Sequence, residues 1–166
     1  VDEAHAVGVI GPNGRGVCAE LDVRADLLTI MLGKAFGTAG AFVAGPAPVV
    51  NLVENHARSF VFSTAPSPSL AAAALAAIDL VEAADDRRDT LRRHVQHLRA
   101  ALPELGFKVL GRDTHILPVV IGGPEETMRM SSRLLELGVF VHGIRPPTVP
   151  AGTSRPFRHD TRPAPP

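Results

Sequence analysis

The stretch from Pro66 to Leu102 constrains the fold most, because it carries two apolar stripes at helical spacing with a single charged interruption. Leu70, Ala74, Ala77 and Val81 fall on one face of a helix that Ser67 or Ser69 can cap. Leu91, Val95, Leu98 and Leu102 form a second stripe after Asp85-Asp86-Arg87-Arg88, so a bend or domain border belongs near that patch. Ahead of this block, Leu27 to Leu32 is an apolar run suited to a buried strand and stopped by Gly33, and Gly40 to Ala44 reads as a second strand closed by Gly45-Pro46. The Gly, Pro and Asn cluster from Gly8 to Gly16 reads as a loop. Behind it, Phe107 to Leu110, Leu117 to Ile121 and Val139 to His142 read as strands, and Glu125 to Leu137 as a helix with Gly138 at C′. The expected class is α/β, an α/β unit over residues 1–84 followed by a small α+β unit over 85–150. Arg155 to Pro166 holds four prolines, three arginines and one large apolar residue, so residues 151–166 are expected to be irregular.

A chain of 166 residues with 45% apolar side chains can bury a core, and its formal charge of zero gives no overall pull toward nucleic acid or an anionic membrane. Small-molecule chemistry or protein contact remains. No run approaches the length of a membrane span and no secretory pattern opens the chain, so a cytosolic location is the expectation. The chain opens at Val1-Asp2 without an initiator methionine, as if at the end of a buried strand, and reads as a piece of something longer. Its one cysteine, Cys18, can form neither an internal disulfide nor a thiolate cluster. His94 and His97 lie one helical turn apart, yet nothing else has metal-ligand spacing, and a solvated helix face accounts for them. Lysine usage is sharper: of 17 basic residues only Lys34 and Lys108 are lysines. Arginine meets a surface need for charge, but imine chemistry requires an amine that can lose its proton.

Lys34 stands in Leu32-Gly33-Lys34-Ala35-Phe36-Gly37, a turn at a strand end, where active-site side chains of open α/β sheets gather. Asp2-Glu3-Ala4-His5 invites a nucleotide-hydrolase reading, with an acidic pair holding magnesium. That reading requires a phosphate loop, and Gly33-Lys34 is followed by Ala35, with Leu28 in place of the first glycine. The alternative unites Asp2, His5 and Lys34 around pyridoxal phosphate. The carboxylate pairs with the pyridinium nitrogen, the imidazole lies near the ring and its phenolic oxygen, and the lysine closes an imine on the aldehyde carbon. Singly, each residue also has an ordinary surface reading: an exposed turn lysine, a turn acid, a surface histidine.

Five ordered motifs then carry a resemblance: Val1 to Gly8, Gly11-Pro12-Asn13-Gly14-Arg15-Gly16, Leu32 to Gly37, Phe60-Val61-Phe62-Ser63-Thr64-Ala65, and Ile144-Arg145-Pro146-Pro147-Thr148-Val149-Pro150. Together they resemble the α-oxoamine synthase family of pyridoxal-phosphate enzymes, which is class II aminotransferase-like, over roughly its second half. The last motif is most similar to the biotin-pathway branch. The resemblance implies a partial fold-type I transferase, with part of the large-domain sheet over residues 1–84 and most of the small C-terminal domain over 85–150. It implies decarboxylative condensation of an amino acid, L-alanine in that branch, with an acyl-CoA or acyl-carrier-protein thioester such as a pimeloyl one. By position it implies Lys34 as the Schiff-base lysine, Asp2 as the pyridine-nitrogen partner and His5 beside the cofactor oxygen. Ser63 and Thr64 match residues reaching the phosphate in the neighbouring subunit of a homodimer, although the pair also suits a cap for the helix after Pro66. Arg155 matches an arginine holding the substrate carboxylate, and Arg145 an arginine for an acid group of the acyl donor, with a surface ion pair as its plain alternative. One departure is Met31, three residues before Lys34, where the family commonly has a hydroxyl on the cofactor phosphate; a thioether is a weak acceptor and has no hydrogen to donate. Two other readings remain open: a non-catalytic truncated piece of such an enzyme, and a glycine-using relative such as 5-aminolevulinate synthase or glycine C-acetyltransferase.

Overall fold

The structure is a computed structural model that describes residues 1–112, 114–150 and 154–158, with side chains omitted at 156–158. The chain divides into two compact units, Val1–Arg88 and Asp89–Pro166, a border four residues beyond the expected one at 84.

In the first unit, strand β1 (Leu28–Met31) pairs antiparallel with β2 (Ala41–Ala44), Leu28 opposite Ala44 and Met31 opposite Ala41. On its other side β1 takes the chain start in parallel: Asp2 bridges Thr29, the Glu3 amide donates to the Thr29 carbonyl at 2.8 Å, and the Thr29 amide donates to Val1 at 2.9 Å. β1 is half-buried rather than buried, because β2 beside it is exposed throughout and gives it no cover. Helix α1 (Val17–Glu20) follows a 3-10 turn at Pro12–Gly14.

Helix α4 (Pro68–Glu82) starts at Ser67, whose hydroxyl accepts from the Ser69 amide at 3.3 Å. Its less exposed residues are Leu70, Ala74, Ala77 and Val81, the stripe the sequence showed, and it packs on the Pro12–Gly14 turn. Ala83 and Ala84 interrupt the helical block before α5 (Asp85–Glu104). Within the charged patch Asp85, Asp86 and Arg87 are exposed, but Arg88 is 3% exposed. Its guanidinium donates to the Val81 carbonyl at 2.6 Å and to Asp85 at 2.8 Å, closing the carbonyls that end α4. Between β2 and α4 lie α2 (Ala47–His56) and α3 (Arg58–Val61), which the sequence did not suggest.

The second unit is an antiparallel sheet in the order β3 (Lys108–Val109), β4 (Leu117–Val120), β6 (Arg155–Arg158), β5 (His142–Ile144), with α6 (Pro124–Glu136) against β5 and β6. Thr127 is fully buried on the inner face of α6, and Ser131 donates to the Val141 carbonyl. Leu91, Val95, Leu98 and Leu102 are again the less exposed face of α5. Gly138, at φ +80°, is C′ of a Schellman cap: the Val139 amide donates to Leu134 at 2.8 Å and the Gly138 amide to Leu135 at 2.9 Å. The cap consumes the Val139 amide, so the following strand begins at His142 rather than Val139. The expected irregular tail is corrected too, since Arg155–Arg158 pairs with β4 on one side and β5 on the other. Pairing is non-local, and a ladder on both edges outweighs a poor strand composition. The rest of the tail, and Ala151 to Thr153, lie outside the described residues.

Candidate active site

Lys34 sits in the loop joining β1 to β2. The loop is pinned by the Leu32 amide donating to Gly40 at 2.9 Å, the Thr38 amide to Leu32 at 3.1 Å and the Gly37 amide to Lys34 at 3.0 Å. The Thr38 hydroxyl donates to the Leu70 carbonyl at 3.4 Å, which fastens the loop to α4 and commits that hydroxyl. Lys34 is half-buried. Its ammonium donates to the Met31 sulfur at 3.3 Å, and no acid pairs with it among the described residues.

Two contacts bring Asp2 and His5 to this loop. One is the parallel pairing of Asp2 with Thr29, two residues before Met31. The other is at Gly8, where a Cβ would stand 2.5 Å from the Ala35 methyl, so only glycine allows the approach. Asp2 is exposed, and its Oδ1 accepts from the Ala4 amide at 2.8 Å, fixing the carboxylate. Oδ2 makes no hydrogen bond among the described residues and is open to a ring N–H. His5 is exposed in the turn that follows.

Glu3, between them, is a residue to which the sequence reading gave no part at this site. It is 1% exposed, and its two carboxylate oxygens accept from the amides of Val17 and Cys18, both at 2.8 Å. A negative charge thus meets the first amides of α1, the favourable arrangement at a helix start. Gly16, at φ +99°, has no room for a Cβ, which would lie 2.6 Å from Glu3 Oε2. The loop of glycines from Gly8 to Gly16 returns this helix start to Glu3, next to Asp2. Hydrogen bonding to Glu3 first, then burial and the Glu3 charge, push the Cys18 thiol above its ordinary range.

Ser63 and Thr64 are exposed in the turn after α3, and the Ser63 hydroxyl donates to Phe60 at 2.7 Å. They do not cap α4, a task that falls to Ser67. In the second unit Arg155 pairs with Ile144, the residue before Arg145, so the two arginines lie at one end of the β5–β6 ladder. Arg145 is exposed, and its Nη1 lies 2.9 Å from the Met128 sulfur; no acid pairs with it among the described residues, so the expected surface ion pair does not form there.

The segment carrying Asp2 thus meets β1 by a single parallel bridge, His5 lies in the turn beyond it, and the lysine loop follows β1. A profile of the family "Aminotransferase class I and II" matches residues 1–158. The chain belongs to that family. It is 47% identical over 163 residues to the 8-amino-7-oxononanoate synthase of Geobacter metallireducens, covering 93% of this chain and 41% of that protein. The structure of 8-amino-7-oxononanoate synthase from Francisella tularensis superposes with a TM-score of 0.82 at 25% identity, over 95% of this chain and 47% of that one. A serine palmitoyltransferase variant from S. paucimobilis, solved with a bound PLP-myriocin aldimine, superposes with a TM-score of 0.83 at 33% identity, over 95% of this chain and 40% of that one. The fold is therefore part of the fold-type I transferase fold, and the chain spans about two fifths of the length of the curated relatives it matches. No helix among the described residues is long and apolar enough to cross a membrane.

Proposed function

We propose that this chain carries the lysine-bearing part of a pyridoxal-phosphate enzyme that condenses L-alanine with a pimeloyl thioester, on CoA or acyl carrier protein, with loss of carbon dioxide. The product is 8-amino-7-oxononanoate, and the setting is cytosolic biotin synthesis. The observation that carries the reading is the bridge from Asp2 to Thr29 on β1, the strand whose following loop holds Lys34, in a chain similar to the Geobacter metallireducens synthase.

The residues present fit the cofactor. Among the described residues the Lys34 amine bonds a weak thioether acceptor and no acid, and it suits the aldehyde. Asp2 has one oxygen fixed by backbone and one open, and suits the pyridine N–H. When bound, pyridoxal phosphate supplies an electron sink for the amino acid's α-carbon. Lys34 Nζ then moves the α-proton, and Asp2 keeps the ring nitrogen protonated. His5 would lie beside the ring at its phenolic oxygen. Ser63 and Thr64, exposed beside Phe60, Val61 and Phe62, would reach the phosphate across the interface of a homodimer. Arg155 would take the substrate carboxylate and Arg145 the distal acid of the acyl donor. On this reading residues 1–84 belong to the cofactor-binding large domain and 85–150 to the small domain. A second reading, a piece of such an enzyme without activity of its own, is favoured by the thin core of the first unit, whose buried apolar residues are Ala4, Ala6 and Cys18 among those described.

The chain mixed with pyridoxal phosphate and treated with borohydride should take up one pyridoxyl group at Lys34, and Lys34→Ala should take up none at that position. Absence of uptake would defeat the cofactor assignment for this chain. Condensation assayed with alanine or glycine against pimeloyl-CoA then separates the two readings and the glycine-using relatives.

A further inference from the structure

Two of the three methionines are exposed residues whose sulfur meets a cation: Met31, 39% exposed, at 3.3 Å from Lys34, and Met128, 38% exposed, at 2.9 Å from Arg145. A thioether is among the weakest acceptors a side chain offers, so the contact with Met31 holds the Lys34 side chain only loosely. The same exposure that brings solvent to Met31 brings small oxidants to its sulfur. We infer that Met31 is an oxidation site through which a peroxide lowers the reactivity of the Lys34 amine. The inference rests on Lys34 being the amine of the proposed site.

The chemistry balances with hydrogen peroxide as the oxidant. A sulfur lone pair attacks one peroxide oxygen, the O–O bond breaks, and the products are a sulfoxide and water; the sulfur is oxidised by two electrons and the peroxide reduced by two. A sulfoxide oxygen is a strong acceptor, and one built on a sulfur 3.3 Å from Nζ is within hydrogen-bonding reach of it. A hydrogen bond to the charged form of an amine favours that form. The oxidised chain therefore keeps more of Lys34 as ammonium, which cannot attack an aldehyde. Spacing contributes: Met31 and Lys34 are held on one loop by the pinned β1–β2 turn, so the new acceptor stays beside its donor. Met128 serves as the natural comparison, because a guanidinium keeps its charge whatever its neighbour.

The two lysines make the test direct. The purified chain is treated with dilute hydrogen peroxide, sulfoxides are located by peptide mass spectrometry, and Lys34 and Lys108 are labelled competitively with trinitrobenzenesulfonate, which reacts with the free amine. Oxidation of Met31 should lower the ratio of Lys34 to Lys108 labelling about tenfold, the effect of one added charge-assisted hydrogen bond. Methionine sulfoxide reductase should restore it. Met31→Leu should keep its ratio under peroxide even though Met128 still oxidises. An unchanged ratio in chain oxidised at Met31, an equal loss in Met31→Leu, or oxidation of Met128 with Met31 untouched would each overturn the inference. Labelling requires no bound cofactor, so failure of the pyridoxyl-uptake experiment leaves this result readable on its own.

Discussion

Glu3 is the residue on which the local geometry of the site depends. It bonds two amides at once, and its backbone is continuous with Asp2 on one side and, two residues on, His5 on the other. Gly16→Ala should cost roughly 2 kcal/mol or more, since the new methyl would meet the carboxylate and the backbone would be forced at positive φ. Urea unfolding of the two chains measures it. Cys18 gives a second readout of the same carboxylate. With its thiol pushed upward, the folded chain holds the thiol proton more tightly than the unfolded one. Stability is then full below the ordinary thiol range and falls as pH rises through the raised value. Iodoacetamide should modify Cys18 slowly at neutral pH, and Glu3→Gln should speed the reaction by removing the charge that opposes thiolate formation. An unchanged alkylation rate in that variant, with its circular dichroism intact, would contradict the assignment. Lys34, Asp2 and His5 could be proposed from the sequence because the chemistry assigned to them has few substitutes. Glu3 was not, because its part appears only when a loop of glycines returns Val17 and Cys18 to it.

Among the elements, the long helices with apolar stripes and the short apolar strands bounded by glycine or proline were readable. The half-buried positions of α4 and α5 are the residues whose spacing announced them. The segment Ala47–His56 escaped because Val49, Val50 and Val53 favour strands by type, although with Ala57 they recur at helical spacing and are its less exposed positions. β6 escaped because its partners lie in β4 and β5, far away in sequence, and because Pro156 pairs opposite Gly143 within a ladder where proline is rare. Caps give the cleanest tests. Gly138→Ala should destabilise the second unit by about 1 kcal/mol, through positive φ in the Schellman cap of α6. Ser67→Ala should cost about 1 kcal/mol at the start of α4. Thermal denaturation followed at a helix wavelength separates both from the wild type.

The chain is about two fifths of a familiar architecture, and among the described residues its first unit buries little large apolar volume. Leu75, Ile78 and Leu80 on the outer face of α4 are exposed, as are Phe60, Val61 and Phe62 beside Ser63. A fluorescent apolar dye should bind the folded chain, and its emission should fall after substitution of Leu75 and Ile78 by glutamine. The same surface governs the thermodynamics of unfolding. Apolar area already hydrated in the folded state cannot be newly hydrated when the chain opens, and it is new hydration that gives unfolding its heat capacity and its steep response to denaturant. Calorimetry should therefore find a heat-capacity increment below the usual value of about 12–15 cal/mol/K per residue. Its stability curve should be shallow and broad, nearly indifferent to cooling.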